Sequence, residues 1–170
     1  DFIKTYFPKM IHVIGSPAYR NNGTMVLGTA EGGLKITLYM INSLQLEPDY
    51  LNEYYFHTMH HEFAHILHQT KPYTADFEMI SGSDYVKDTW NDTYKSDEEA
   101  WKAGFITPYG ASEANEDFVE LLSTYITNTP EFWSDMMKTA GKEGSAILSQ
   151  KFDIVYNYMK NTWNIDLDNL

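Results

Sequence analysis

Five of the six histidines of this 170-residue chain (His57, His60, His61, His65 and His68) fall within twelve residues, and two of them frame His61-Glu62-Phe63-Ala64-His65. An H-E-x-x-H pattern on a helix is a zinc site that carries its own general base. Positions i and i+4 project from nearly the same face, so His61 and His65 can offer their imidazoles to one ion while Glu62 points at its open side. With six His and twelve Glu in the chain, the pattern arises by chance in roughly one such sequence in seventy. His57, His60 and His68 read instead as supporting, packing or surface residues.

A hydrolytic zinc takes three protein ligands and keeps one position open. There is no Cys to supply the third, and His12, the remaining histidine, sits in an apolar run that reads as a strand. Carboxylates are the favoured donors. The best source is the segment from Glu113 to Leu122, where Phe118, Leu121, Leu122 and Tyr125 define a helical apolar face and Glu116 and Glu120 share another. One of these carboxylates can ligate zinc while a second holds a ligand histidine through its free ring N–H. The plainer alternative is an acidic first turn that complements the helix dipole.

Pro108-Tyr109-Gly110 through Glu116 to Glu120, taken with His61 to His65, resembles the catalytic domain of anthrax lethal factor and its gluzincin relatives. In that family a Tyr-Gly lies seven residues before the glutamate ligand and a second Glu follows four residues after it. The resemblance implies that Glu116 is the third zinc ligand, Tyr109 a phenol that hydrogen-bonds the reacting oxyanion, and Glu120 an outer-shell residue. A broader likeness runs from Ile14-Gly15-Ser16-Pro17-Ala18-Tyr19 through Gly23 to Gly33, which is similar to the zinc-binding metallopeptidase lipoproteins of Bacteroidota envelopes. Those proteins are associated with nutrient-import loci. That likeness implies export, a lipid anchor and a place in the cell envelope, periplasm or outer membrane, none of which these residues display. The start at Asp1, without Met, suits a piece of a longer protein.

The elements that must hold these residues follow from patterning. Ile11–Ile14, Thr24–Leu27 and Leu34–Ile41 are apolar or alternating runs bounded by Gly15, Gly23, Gly28 and Gly32-Gly33, which reads as a small N-terminal sheet. Leu34 to Tyr39 is either the cleft edge to which substrate backbone adds as a strand or an ordinary interior strand. Pro48-Asp49 opens the active-site helix, about Tyr50 to Gln69, and Lys71-Pro72 ends it. Ser96-Asp97-Glu98-Glu99 is a capping-box start for a short helix closed by Gly104. Thr129-Pro130 opens another helix, and a last one runs from about Ser145 to Trp163 with Ile147, Ile154, Val155, Tyr158 and Met159 near one face. Residues 70–96 read as a polar loop over the cleft. The fold class expected is α+β: one zincin-like domain over residues 1–170, with a small N-terminal sheet, an active-site helix and a mostly helical C-terminal part.

Composition agrees with an enzyme domain, since 43% hydrophobic and 15% aromatic residues supply an ample core. A net charge of −12 argues against nucleic acid as a partner. No apolar stretch approaches the roughly 20 residues of a membrane span. The function expected is a zinc-dependent peptidase acting on peptide or protein substrates. The alternative is a zinc-stabilised binding module, without turnover, that serves a cell-envelope import system. Asp117 or His57 as a fourth protein ligand would mark a structural zinc instead.

Overall fold

The computed structural model describes residues 8–32, 34–73 and 75–169. Gly33, read above as a turn residue, lies outside the described residues, as does Asp1. The architecture is α+β, with a small N-terminal sheet, a helix carrying the histidines and a largely helical C-terminal part. Two compact units divide the chain, Asp1–Pro72 and Tyr73–Leu170. No helix among the described residues is long and apolar enough to cross a membrane.

In the first unit the strands are β1 (Met10–Val13), β2 (Ala18–Tyr19), β3 (Met25–Val26), β4 (Gly28–Glu31) and β5 (Lys35–Leu38). Strands β2 and β3 form a short antiparallel ribbon, while the main sheet has the order β1-β5-β4. Strand β5 pairs parallel with β1 and antiparallel with β4, so it lies inside the sheet with both ladders filled. Of the two readings of Leu34 to Tyr39, the interior strand is the one observed. Among the described residues the strands at the edges of this sheet are β1 and β4, and β4 opens at Gly28, which the sequence pattern treats as a bounding turn residue. Ile36 and Leu38 are buried on the sheet face that meets Ile66, with Met59, Phe63 and Tyr55 packed around them. Burial of each such aliphatic side chain contributes roughly 1.5–3 kcal/mol, and this cluster fixes the histidine helix on the sheet.

That helix is built in three parts. Helix α1 (Pro48–Tyr50) starts with Pro at its first position, a π turn follows over Leu51–Phe56, and α2 (His57–Thr70) completes it. Because the chain enters α2 already helical, Phe56 is in the αR region and no side-chain cap is needed. Lys71 turns extended (φ −138, ψ 98) ahead of Pro72, which ends the helix where the Lys-Pro pair predicts.

Residues 70–96 fold more than expected: Thr70 ends α2, and the second unit forms α3 (Asp76–Ser81), α4 (Trp90–Thr93) and single 3-10 turns. Helix α5 (Asp97–Lys102) has the predicted cap: Ser96 Oγ accepts from Glu99 N at 3.3 Å, and the Glu99 carboxylate accepts from Lys95 N at 2.8 Å. Gly104 then turns the chain at φ +84. Helix α6 (Ala114–Thr127) buries Phe118, Val119, Leu121 and Leu122, and the Phe118 ring is stacked on Tyr73 at 4.3 Å. Helix α7 (Pro130–Trp163) is capped by Thr129 Oγ1, which accepts from Phe132 N. The two helices expected from Thr129 and Ser145 are joined into this one element, interrupted only at Gly141 (φ 70).

Candidate metal centre

The first unit contributes a pair of imidazoles and a carboxylate. His61 and His65 lie one turn apart on α2, and their Nε2 atoms face each other at 3.1 Å. Two nitrogens bound at about 2.0–2.1 Å to one tetrahedral zinc stand about 3.3 Å apart, so the pair is spaced as zinc ligands are. Their ring planes cross at 74°, which aims both nitrogens into one region. His61 and Glu62 are buried, at 7% and 5% exposure, and His65 is half-buried. Strand β4 lies hard against Glu62: a Cβ placed on Gly28 would fall 2.7 Å from Glu62 Oε1 and 2.7 Å from Thr58 Cγ2. Only the missing side chain of Gly28 leaves room for the carboxylate. His60 and His68 are held below the usual histidine range, chiefly by burial and then by the neighbouring His57 and His65 respectively, and so favour the neutral form. Residue types and spacing here fit a divalent zinc: two imidazoles, a carboxylate beside them and no thiolate.

The second unit contributes the other candidate residues. Tyr109 opens a 3-10 turn (Tyr109–Ser112), with its ring edge-on to Trp90 at 5.4 Å. Gly110 N donates to Thr107 Oγ1 at 2.9 Å, and that hydroxyl in turn donates to Glu120 Oε2 at 2.8 Å. Glu120 therefore ties α6 to the loop that presents Tyr109. Glu116 is half-buried in the first turn of α6, one turn before Glu120 and on the same face.

Behind this face lies a charged cluster that the sequence reading missed. Asp117 is fully buried, and its Oδ2 accepts from Lys151 Nζ at 2.7 Å and from the Tyr85 hydroxyl at 2.9 Å. Lys151, also fully buried, donates to Gly104 O at 2.7 Å and stands 4.0 Å from the centre of the Phe105 ring. Burial pushes the Asp117 carboxyl up to about 6 against the opposing pull of Lys151, and burial lowers the Lys151 ammonium. Asp117 is thus engaged by groups of its own unit. The available signal was Lys151 itself, an ammonium standing between Leu148 and Val155 on the apolar stripe of α7.

Comparison with known proteins agrees with this inventory. A family model described as "Putative zinc-binding metallo-peptidase" matches residues 1–168. A crystal structure of a protein of that description from Bacteroides caccae superposes with a TM-score of 0.80 at 47% identity, covering 99% of this chain. The present chain spans 64% of that protein's chain. No curated protein matches. With a model matched along nearly its whole length and a solved relative at that identity, the chain belongs to this zinc-binding metallo-peptidase family.

Proposed function

We propose that the chain is a zinc-dependent peptidase of the gluzincin type, in which His61, His65 and Glu116 hold the metal. Glu62 is its general base, Tyr109 its oxyanion donor and Glu120 an outer-shell residue. The observation that carries the reading is the 3.1 Å separation of the two Nε2 atoms with the buried Glu62 beside them. Metal retention alone has no use for that third residue. When bound, zinc supplies Lewis acidity, acidifying water and polarising the scissile carbonyl. Glu62 takes the proton of the attacking water and delivers it to the departing amine. The Tyr109 hydroxyl donates a hydrogen bond to the oxygen on which charge collects. Glu120, fixed by Thr107, holds the loop of Tyr109 at a set distance along α6 from Glu116.

Because β5 is interior, the strand that pairs with an extended peptide in this reading is β4, the edge strand whose Gly28 lies against Glu62. The reading extends to a cell-envelope location, for which the resemblance of residues 14–33 is the support and fractionation of the full-length protein the test.

The deciding experiment compares wild type with Glu62→Gln and Glu62→Ala, measuring zinc by elemental analysis and cleavage with a peptide library. Full zinc occupancy with abolished cleavage in both variants is the expected result. Wild-type protein that is stoichiometric in zinc yet cleaves nothing leaves the binding-module reading in its place.

A further inference from the structure

The first unit contains an apolar hollow of about 350 Å³ whose wall includes Leu27, Tyr39, Leu44, Tyr54 and Thr58. We propose that this hollow is a specificity pocket that accepts one bulky apolar side chain of the peptide, next to the bond that is cut. The proposal rests on the peptidase reading above and names the substrate class for it.

Chemistry of the lining sets what can enter. Its lining includes Tyr39, Tyr50, Tyr54, Tyr55, Met25 and Met40, and among the described residues no Asp, Glu, Lys or Arg. Of its polar side chains besides the tyrosines, Thr58 already donates its hydroxyl to Tyr54 O at 2.7 Å. A charged side chain entering this space would lose water and meet no counter-charge in the described lining, the Glu53 carboxylate standing outside it at the Tyr54 hydroxyl, whereas a phenyl or isobutyl group gains by burial. The volume is at the lower end for ligand sites, which suits a side chain rather than a cofactor. Met25 and Tyr54, at 45% and 39% exposure, leave apolar surface uncovered at its rim.

Position ties the hollow to the chemistry. Leu27 directly precedes Gly28, whose backbone abuts the Glu62 carboxylate, and Thr58 stands one turn before Glu62 with its methyl against the same point. Tyr39 N donates to Leu27 O at 2.9 Å, which fixes the wall to the edge of the sheet. Met40, also in the lining, holds φ 59, a conformation rare outside glycine and found where surrounding structure imposes it, functional clefts included. A peptide laid along β4 therefore passes Glu62 with a side chain able to enter here.

The test has a cleavage arm and a binding arm. Zinc-loaded wild-type protein is profiled with a randomised peptide library, and Phe, Tyr, Leu or Met at one fixed position beside the cut is expected at least ten-fold above Ala, Asp or Lys. Leu44→Trp, which fills the hollow, shifts that position to small residues; Leu44→Glu shifts it toward Lys and Arg, a gain that a merely misfolded variant cannot produce. In the second arm, zinc-loaded Glu62→Gln protein is titrated calorimetrically with a Phe-bearing peptide and its Ala analogue. The Phe peptide is expected to bind at least ten-fold tighter, with the gap removed by Leu44→Trp. Cleavage without side-chain preference overturns the pocket and leaves the peptidase intact. Discrimination in binding without cleavage by wild type does the reverse. Absence of discrimination in both arms overturns the pocket outright.

Discussion

Replacing Gly28 by alanine adds one methyl group at the place where β4 meets Glu62, the proposed general base. The new Cβ would stand 2.7 Å from Glu62 Oε1, 2.8 Å from Glu62 Cγ and 2.7 Å from Thr58 Cγ2. Carbon atoms in contact settle at about 3.5–4.0 Å, so roughly 1 Å has to be found. Thr58 is held within the helix by its bond to Tyr54 O, and β4 is held by its ladder to β5. The Glu62 side chain, with rotatable bonds that the strand and helix backbones lack, is the part that gives way. A misplacement of about 1 Å in a reacting group costs on the order of 10²-fold in rate, equal to about 2.7 kcal/mol of barrier. Alanine keeps the backbone N–H and C=O, so strand pairing with β5 is retained. The expected result is therefore selective: kcat/KM on a cleaved peptide falls about 10²-fold, zinc content stays stoichiometric, and the protein remains folded by circular dichroism. A folded, zinc-replete Gly28→Ala protein with activity within three-fold of wild type would refute the claim that this contact sets the position of Glu62.

Other outcomes are equally open to measurement. Tyr109→Phe is expected to retain zinc and melting temperature while losing about 10²–10³-fold in turnover; an unchanged rate removes Tyr109 from the mechanism. Lys151→Met leaves the buried Asp117 without its counter-charge and is expected to destabilise the protein by about 3–5 kcal/mol in denaturant titration. Adding Asp117→Asn to that variant should restore part of the loss, because the uncompensated charge is gone; no recovery would count against an electrostatic origin. Chelation is expected to abolish cleavage and lower the melting temperature, and stoichiometric zinc to restore both, since a ligand that binds only the folded state stabilises it by mass action.

The histidine helix, its Lys-Pro end and the caps at Ser96 and Thr129 were legible because each is a local rule satisfied by local residues. Strand β4 was not. Gly28-Thr29-Ala30-Glu31 carries a single β-branched residue and opens with a glycine, so its strand state comes from pairing with β5 in the register Gly28↔Leu38 to Glu31↔Lys35. The run from Leu34 to Ile41 overshoots the observed strand at both ends because Leu34 and Met40 adopt positive φ, which an apolar pattern does not reveal. Helices α3 and α4 are too short for a 3.6-residue period to register above noise. At the candidate site, the proximity of the His61 and His65 imidazoles was readable from five consecutive residues. The tie from Thr107 to Glu120 and the Lys151–Asp117–Tyr85 cluster join residues 13 to 34 positions apart, and only the packing of α6 against α7 and the loops that carry Tyr85 and Thr107 brings them together.

The π turn at Leu51–Phe56 has a consequence for how this protein tolerates change in length. A wide turn holds one residue more than an α turn, and each residue of helix advances the azimuth by about 100°. Everything upstream of the bulge is thereby dialled round relative to His61 and His65, and two residues of the hollow's wall depend on it, Tyr50 just before the turn and Tyr54 within it. Excising a single residue within it would heal the ladder into regular α-helix, leave the imidazoles in phase with each other, and swing both phenol rings to a different bearing. The imidazole pair and the tyrosines of the hollow are in this way set on two separately indexed stretches of one rod.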